Sequence, residues 1–427
     1  MEFQTLKKSH KKQIIMGAIA ICVIGGALTF ATTRAKYKLT EEIEIAKGTI
    51  NYKPYDFKIM AMYKSEDKTN YTEINDMPNE GYIINESKSY CNMSNGNKDT
   101  TAVLKTINGN HTIGKLKKND KCYLYFDKQS TGSETILGNI TVNSGTPNFV
   151  NAATTDEGVY KVSDGVYGGY SYYWRGAVTN NYVKFANKCW RIIRINGDGS
   201  IRLIYDGATC HANGTNTTES LTISRQTYNP NKNRAEYVGY TYTLGSQRTT
   251  GGTASNLKTQ NETWYNSNLA SYDSKIAEGK YCNDRNIGAG YSWSSQPPST
   301  FGYAGYDRSG VKSASSVNPT LSCPSGDVYI LKIGVITMDE IVMAGGKWRT
   351  ANSSYYLYSG QNYWTMSPYG TSSTPVSSVF FVYTDGQLWA ANADDTAVSV
   401  RPVINLKSDT FFVAGGTGTQ SNPYVVS

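Results

Sequence analysis

An uncharged run near the N-terminus constrains everything after it. Between the lysines of "KKSHKK" and Arg34, residues Ile14 to Thr33 carry no charge. A helix that crosses a bilayer needs about 20 apolar residues. The lysines before the run should stay cytoplasmic, which places the C-terminal bulk outside the cell. The expectation is a single-pass anchor in the cell membrane. A cleaved signal peptide is the alternative, with Thr33-Arg34-Ala35 a poor small-x-small cleavage site. The rest of the chain is exported in either case.

Export decides how the cysteines read. Cys22 lies inside the apolar run as a filler, and six more follow: Cys91, Cys122, Cys189, Cys210, Cys282 and Cys323. An even number outside the membrane points to disulfides. Sequential pairing is expected, because each neighbouring pair falls within one apparent subdomain. A metal centre is not expected: there is no CxxC spacing, and only His111 and His211 lie beyond the apolar run. No cofactor is implied.

The formal charge of +8 belongs mostly to the N-terminus. Without residues 1–38 the chain has 35 basic against 33 acidic side chains. No basic stripe remains to argue for nucleic acid as a partner. With 34 Tyr and 40 Gly against 12 Pro, the composition favours short strands and turns over long helices. The length suggests more than one domain. Residues 1–36 read as basic tail and anchor, 37–135 as a small all-β domain with a linker, and 136–427 as a second, α+β domain.

In the small domain, Phe57–Tyr63, Gly81–Asn85 and Lys121–Asp127 are strand-like, separated by turn signals. "DKQSTGSET" (Asp127–Thr135) is polar without apolar period and reads as linker. In the second domain, Trp190–Ile195 and Ser200–Tyr205 flank "NGDG", a strong hairpin signal. Residues 211–254 are rich in Thr, Asn, Gly and Ser and read as surface excursions. A helix is predicted over Leu257–Leu269, with Leu257, Trp264, Tyr265 and Leu269 near one face. A second starts at the capping box Thr337/Glu340 and stops at Gly345-Gly346. Cys282 and Cys323 close a long irregular segment between them. Tyr363–Tyr369, Val379–Ala390 and Val398–Leu406 read as strands, the second folded back at Asp385-Gly386. Pro402 lacks a ladder donor, so the last strand should bulge or lie at an edge there. Arg401 before it is expected to anchor backbone or carboxylate groups internally.

The order of these elements resembles a family. "WRIIRINGDGSIRLIYDG", "GVITMDEIVMAGG", "YWTMSP" and "SVRPVINL" together are similar to the C-type-lectin-like domains of surface proteins from gut-dwelling Gram-positive bacteria. The resemblance covers about Gly158 to Ser427 and implies a C-type-lectin-like fold with long loop insertions, a fold shared with formylglycine-generating enzymes. It also implies similarity to variable proteins rewritten by diversity-generating retroelements at adenines of the gene. "YGTSSTPVSS" and "AANADDTAVS" consist mostly of residue types that such rewriting produces, as do ordinary surface loops. The implied activity is that of a surface receptor or adhesin whose partner is a protein or glycan, bound between Tyr369 and Ser399.

Within that stretch, strand alternation from Leu388 sets Trp389 on the opposite face. An exposed aromatic among adaptable polar residues supplies contact area at low entropic cost. Tyr369, Ser372, Ser373, Gln387, Asn392, Asp394, Asp395 and Thr396 are the expected neighbours of Trp389 in a ligand-binding face. The competing reading has Trp389 covered by a loop. No catalytic residues are expected: there is no nucleophile elbow or metal-binding helix motif. An enzyme on the same scaffold would need a metal or a reactive thiol in the C-terminal cleft, and no Cys follows Cys323. A passive structural role at the cell surface is the other alternative.

Overall fold

The computed structural model describes residues 57–427, apart from 79–80, 108–109, 216–220, 296–299 and 325–326. The predicted membrane span lies outside them. Among the described residues, no helix is long and apolar enough to cross a membrane. The chain divides into two compact units at Ser130/Thr131. Both are rich in sheet and poor in helix.

The first unit is built around β7 (Lys121–Lys128), which pairs in parallel with β1 (Lys58–Ser65) and antiparallel with β3 (Tyr82–Ile84) and β4 (Tyr90–Asn92). β2 (Thr72–Ile74) extends the outer edge of β1, and β5 (Val103–Ile107) pairs with β6 (Asn110–Gly114). Alternation along β7 buries Cys122, Leu124 and Phe126 with Met62, Ile84 and Ile113. Cys91 and Cys122 face each other across β4 and β7 and are bonded.

The second unit begins where a linker was predicted. Asp127 and Lys128 end β7, and Thr131 caps α1 (Gly132–Gly138) through a capping box with Glu134. A T-x-x-E sequence supplies both of those hydrogen bonds at once, which overrides the lack of apolar period. A nine-stranded sheet follows, with β8 (Val142–Asn143), β9 (Asp156–Ser163), β10 (Tyr170–Gly176), β12 (Lys188–Ile195) and β13 (Ile201–Tyr205) in that spatial order. β11 (Tyr182–Phe185) lies against β12. Asn196–Gly199 makes the predicted turn, with Gly199 at φ +83°. The Cys189–Cys210 disulfide closes the open end of this hairpin.

The second sheet has six strands. β14 (Ser224–Arg225) lies at one edge and β15 (Phe301–Gly302) pairs with the long strand β17 (Tyr363–Ser372). Between them in sequence come α2 (Asn256–Asn268), α3 (Ala304–Arg308), β16 (Ile333–Gly334) and α4 (Met338–Ala344). The predicted face of α2 is largely realised, with Leu257 and Tyr265 buried, Leu269 buried at the C-cap and Trp264 half-buried. The Cys282–Cys323 disulfide ties down the segment that carries α3.

After β17, β18 (Val376–Val382) and β19 (Leu388–Asn392) complete a meander, and β20 (Ser399–Val400) returns against β14 and β17. The chain then leaves this sheet. β21 (Val403–Leu406) pairs with β13 and β16 in the first sheet, and β22 (Tyr424–Val425) runs parallel to β11. The predicted strand Val398–Leu406 is therefore two strands in two sheets, parted at Arg401-Pro402, where Pro402 has no N–H for a ladder.

Arg401 is fully buried at that corner and is the predicted internal anchor. Its Nε donates to the Tyr205 carbonyl at 2.9 Å, Nη1 to the Leu357 carbonyl at 2.6 Å and Nη2 to Asp206 at 3.3 Å. Residues 211–254 depart from expectation. Tyr228, Val238 and Tyr240 are inaccessible and belong to the main core. Aromatic side chains fill the core from an irregular segment that has no period to reveal them.

Glu340 does more than cap α4. Its Oε2 accepts from the Thr337 amide at 2.9 Å, while Oε1 accepts from Arg194 Nε at 3.0 Å. Arg202 Nε lies 2.7 Å from the same Oε1, and its Nη2 donates to Oε2 at 3.4 Å. Arg194 also reaches Asp164 at 2.8 Å. Burial opposes ionisation of Glu340, but Arg202 and Arg194 outweigh it and hold the carboxyl below its usual range. A group with a lowered folded pKa stabilises the fold above its unfolded pKa and loses that contribution as pH falls through the folded value. Glu340→Gln is expected to cost ~3 kcal/mol at neutral pH, since it leaves two buried guanidinium groups short of a counter-charge. The cost should shrink as pH falls below the unfolded value and on toward the lowered folded value, where the wild-type carboxyl protonates as well. Urea denaturation at pH 7 and at pH 3.5 checks both.

Candidate ligand-binding face

The meander of β17, β18 and β19 places the residues expected to bind. Its register sets Gly370 opposite Ser378, Phe381 opposite Trp389 and Val382 opposite Leu388. Leu388 is fully buried and Trp389 is partly exposed. The hairpin before them turns at Asp385-Gly386. Gly386 adopts φ +84°, and a Cβ there would lie 2.0 Å from the Asn352 carbonyl oxygen, so only glycine fits.

Trp389 neither stands free nor lies under a long loop. The segment after α4 runs beside it. Gly345 ends α4 in the left-handed conformation, and Leu388 then exchanges backbone hydrogen bonds with the Lys347 carbonyl (3.0 Å) and the Arg349 amide (3.1 Å). This sets Trp348 against Trp389, ring centroids 5.3 Å apart and planes within 14°. Trp348 stacks in turn with Tyr369 at 5.4 Å and 19°. Tyr306 meets Tyr369 at 5.3 Å, and buried Phe380 packs edge-on against both Trp348 and Tyr369. Offset stacks and edge contacts of this kind are the favoured aromatic geometries. Trp389, Trp348, Tyr369 and Tyr306 all stay partly exposed.

Arg349 completes the arrangement. Its guanidinium carbon lies 4.5 Å from the Trp389 ring and 5.4 Å from the Trp348 ring. Its backbone is left-handed at φ +50°, an uncommon state for a long side chain, held by the contacts with Leu388. The side chain is exposed and has no hydrogen-bonded or acidic partner among the described residues. A cation resting on two indoles keeps its donors directed outward. Burial pushes the Tyr369 phenol above its ordinary value, Tyr306 adds to the shift and Arg349 opposes it. Tyr369 is thus a neutral donor at physiological pH.

The other expected residues separate into two groups. Gln387 sits at the hairpin end of the meander, its amide donating to Asp385 at 2.9 Å. At the far end, Ser372 shares a hydrogen bond with Thr374, and the Ser373 amide donates to Thr300. Asn392 accepts from Ser378 at 3.4 Å. Asp394 lies 3.4 Å from Lys232, Asp395 accepts from the Ala397 amide within its own turn, and Thr396 is exposed. The fold joins Tyr369 and Trp389 through a residue the sequence reading missed, Trp348, and caps them with another, Arg349. The available signal was "KWR" directly after the double glycine. No group of three or more His, Cys, Asp or Glu among the described residues is placed to hold a metal ion.

Comparison of the chain with protein-family models, with curated proteins and with solved structures finds no match.

Trp348 touches three rings and Trp389 one ring and a guanidinium. Trp348→Ala is expected to cost ~3 kcal/mol, and Trp389→Ala only ~1 kcal/mol. Urea melts of the two variants measure this. Equal losses would make Trp389 a packing residue and not a surface one.

Proposed function

We propose that the protein is a membrane-anchored bacterial surface receptor or adhesin that binds a protein or glycan through the Trp389–Trp348–Tyr369 face. In this reading the second unit is a C-type-lectin-like domain, held outside the cell by the N-terminal apolar run. The observation that carries it is the aromatic stack with Arg349 unpartnered against it. A soluble fold has little reason to hold a left-handed arginine with idle donors over two exposed indoles. Binding faces reuse this combination, because rigid aromatics supply area and arginine supplies directed hydrogen bonds.

Surroundings of the stack support the same reading. The turns at 373–375 and 396–397 are exposed, and the strands that carry them are largely buried. Such turns accept substitution without cost to the frame, as a retroelement-diversified protein requires. In isolates of the source bacterium, sequence differences confined to adenines in codons 369–399 would support diversification, and evenly scattered differences would remove it.

The direct test is an array of glycans and glycoproteins probed with the intact chain in detergent micelles. Wild-type protein is expected to bind a restricted set. Trp389→Ala and Arg349→Ala should each weaken that binding at least tenfold, which is the scale of an interface hot spot. Binding to array members without an acidic sugar that survives both substitutions contradicts the proposal.

A further inference from the structure

A cleft of about 320 Å³ opens beside the edge strand β14, away from the aromatic stack. This is at the lower end of the range for small-molecule sites, the size of one sugar unit. β14 forms one wall through its pairing of Ser224 with Val400 and of Arg225 with Ser399. Asn362 forms another, its carbonyl accepting from the Ser399 amide at 2.9 Å. Thr222 donates to Gln361 at 2.9 Å across the floor, and Thr384 of the hairpin lies at the rim.

Three features of this lining are incomplete. Among the described residues, Arg225 is exposed with no hydrogen-bonded or acidic partner, and none that lines the cleft carries a carboxylate. Ser224 Oγ and Asn362 Oδ1 are both removed from solvent without a hydrogen-bond partner. Desolvated polar atoms are costly unless something completes them. Ser224 and Asn362 both line the cleft, and the soft terminal torsion of an asparagine lets a bound ligand draw Oδ1 to its wall.

We propose that this cleft binds an acidic sugar, one that carries a carboxylate beside hydroxyl groups. The carboxylate takes the two-pronged hydrogen bonds of Arg225. The hydroxyls donate to Asn362 Oδ1 and exchange hydrogen bonds with Ser224, which a bare inorganic anion does not do. A neutral sugar leaves the guanidinium charge uncompensated. The site is separate from the aromatic face, and binding here does not depend on Trp389.

Calorimetric titration of the intact chain in detergent tests it, with glucuronate, N-acetylneuraminate, glucose and sulfate as probes. At least one of the two acidic sugars is expected to bind, with glucose and sulfate at least tenfold weaker. Arg225→Gln should weaken the acidic sugar at least tenfold and leave the melting temperature within about 2 °C. Arg225→Lys keeps the charge without the fork and should fall between the two. Trp389→Ala should leave the affinity unchanged. No binding of either acid up to ~10 mM, equal binding of glucose or sulfate, or indifference to Arg225→Gln overturns the proposal.

Discussion

The passage of one chain segment between two sheets at Arg401-Pro402 is the constraint on which the rest of the second unit depends. A proline cannot donate to a ladder, so the strand must break there. What makes the break stable is a buried guanidinium whose hydrogen bonds reach the Tyr205 and Leu357 carbonyls and Asp206. Burial raises the Asp206 carboxyl, with Arg191 and Arg401 opposing. Arg191 and the cation at the corner both favour its ionised form. One residue earlier, Val400 belongs to the sheet that carries the candidate face, and two residues later Val403 belongs to the hairpin sheet.

The candidate face inherits its geometry from this frame and from α4. Glu340 binds the cap of α4 and two arginines of the hairpin sheet at once. That fixes where α4 starts and ties it to the hairpin sheet. Gly345 then turns at φ +112°, where a Cβ would lie 2.6 Å from the Ala153 methyl. The next residues are delivered alongside Leu388, and Trp348 reaches Trp389 as a result. A buried ion network thus positions an exposed aromatic stack, a division of roles that keeps the surface free to vary.

Much of the frame was legible because its signals are local. "NGDG" marks a turn on its own, Thr337 and Glu340 cap each other within one turn of helix, and neighbouring cysteines lie close along the chain. Arg401 could be read as an anchor because a charge inside an apolar strand needs partners. The illegible parts are non-local. Tyr228 and Tyr240 enter the core from a segment with no period. Trp348 becomes part of the face only through pairing with a strand that begins forty residues later. The nine expected site residues were neighbours in sequence, but antiparallel strands send Gln387 and Asn392 to opposite ends of the meander.

The central claim is that a binding surface lies over a frame that does not tolerate change. Substituting every position from Gly345 to Leu406, and scoring each variant separately for folding and for retained ligand binding, tests it most directly. The account predicts that Trp389, Arg349 and Tyr369 lose binding while they still fold, that Ser373 and Thr396 vary freely in folding, and that Trp364 and Arg401 fail to fold. Loss of folding and of binding in step at every position would contradict it.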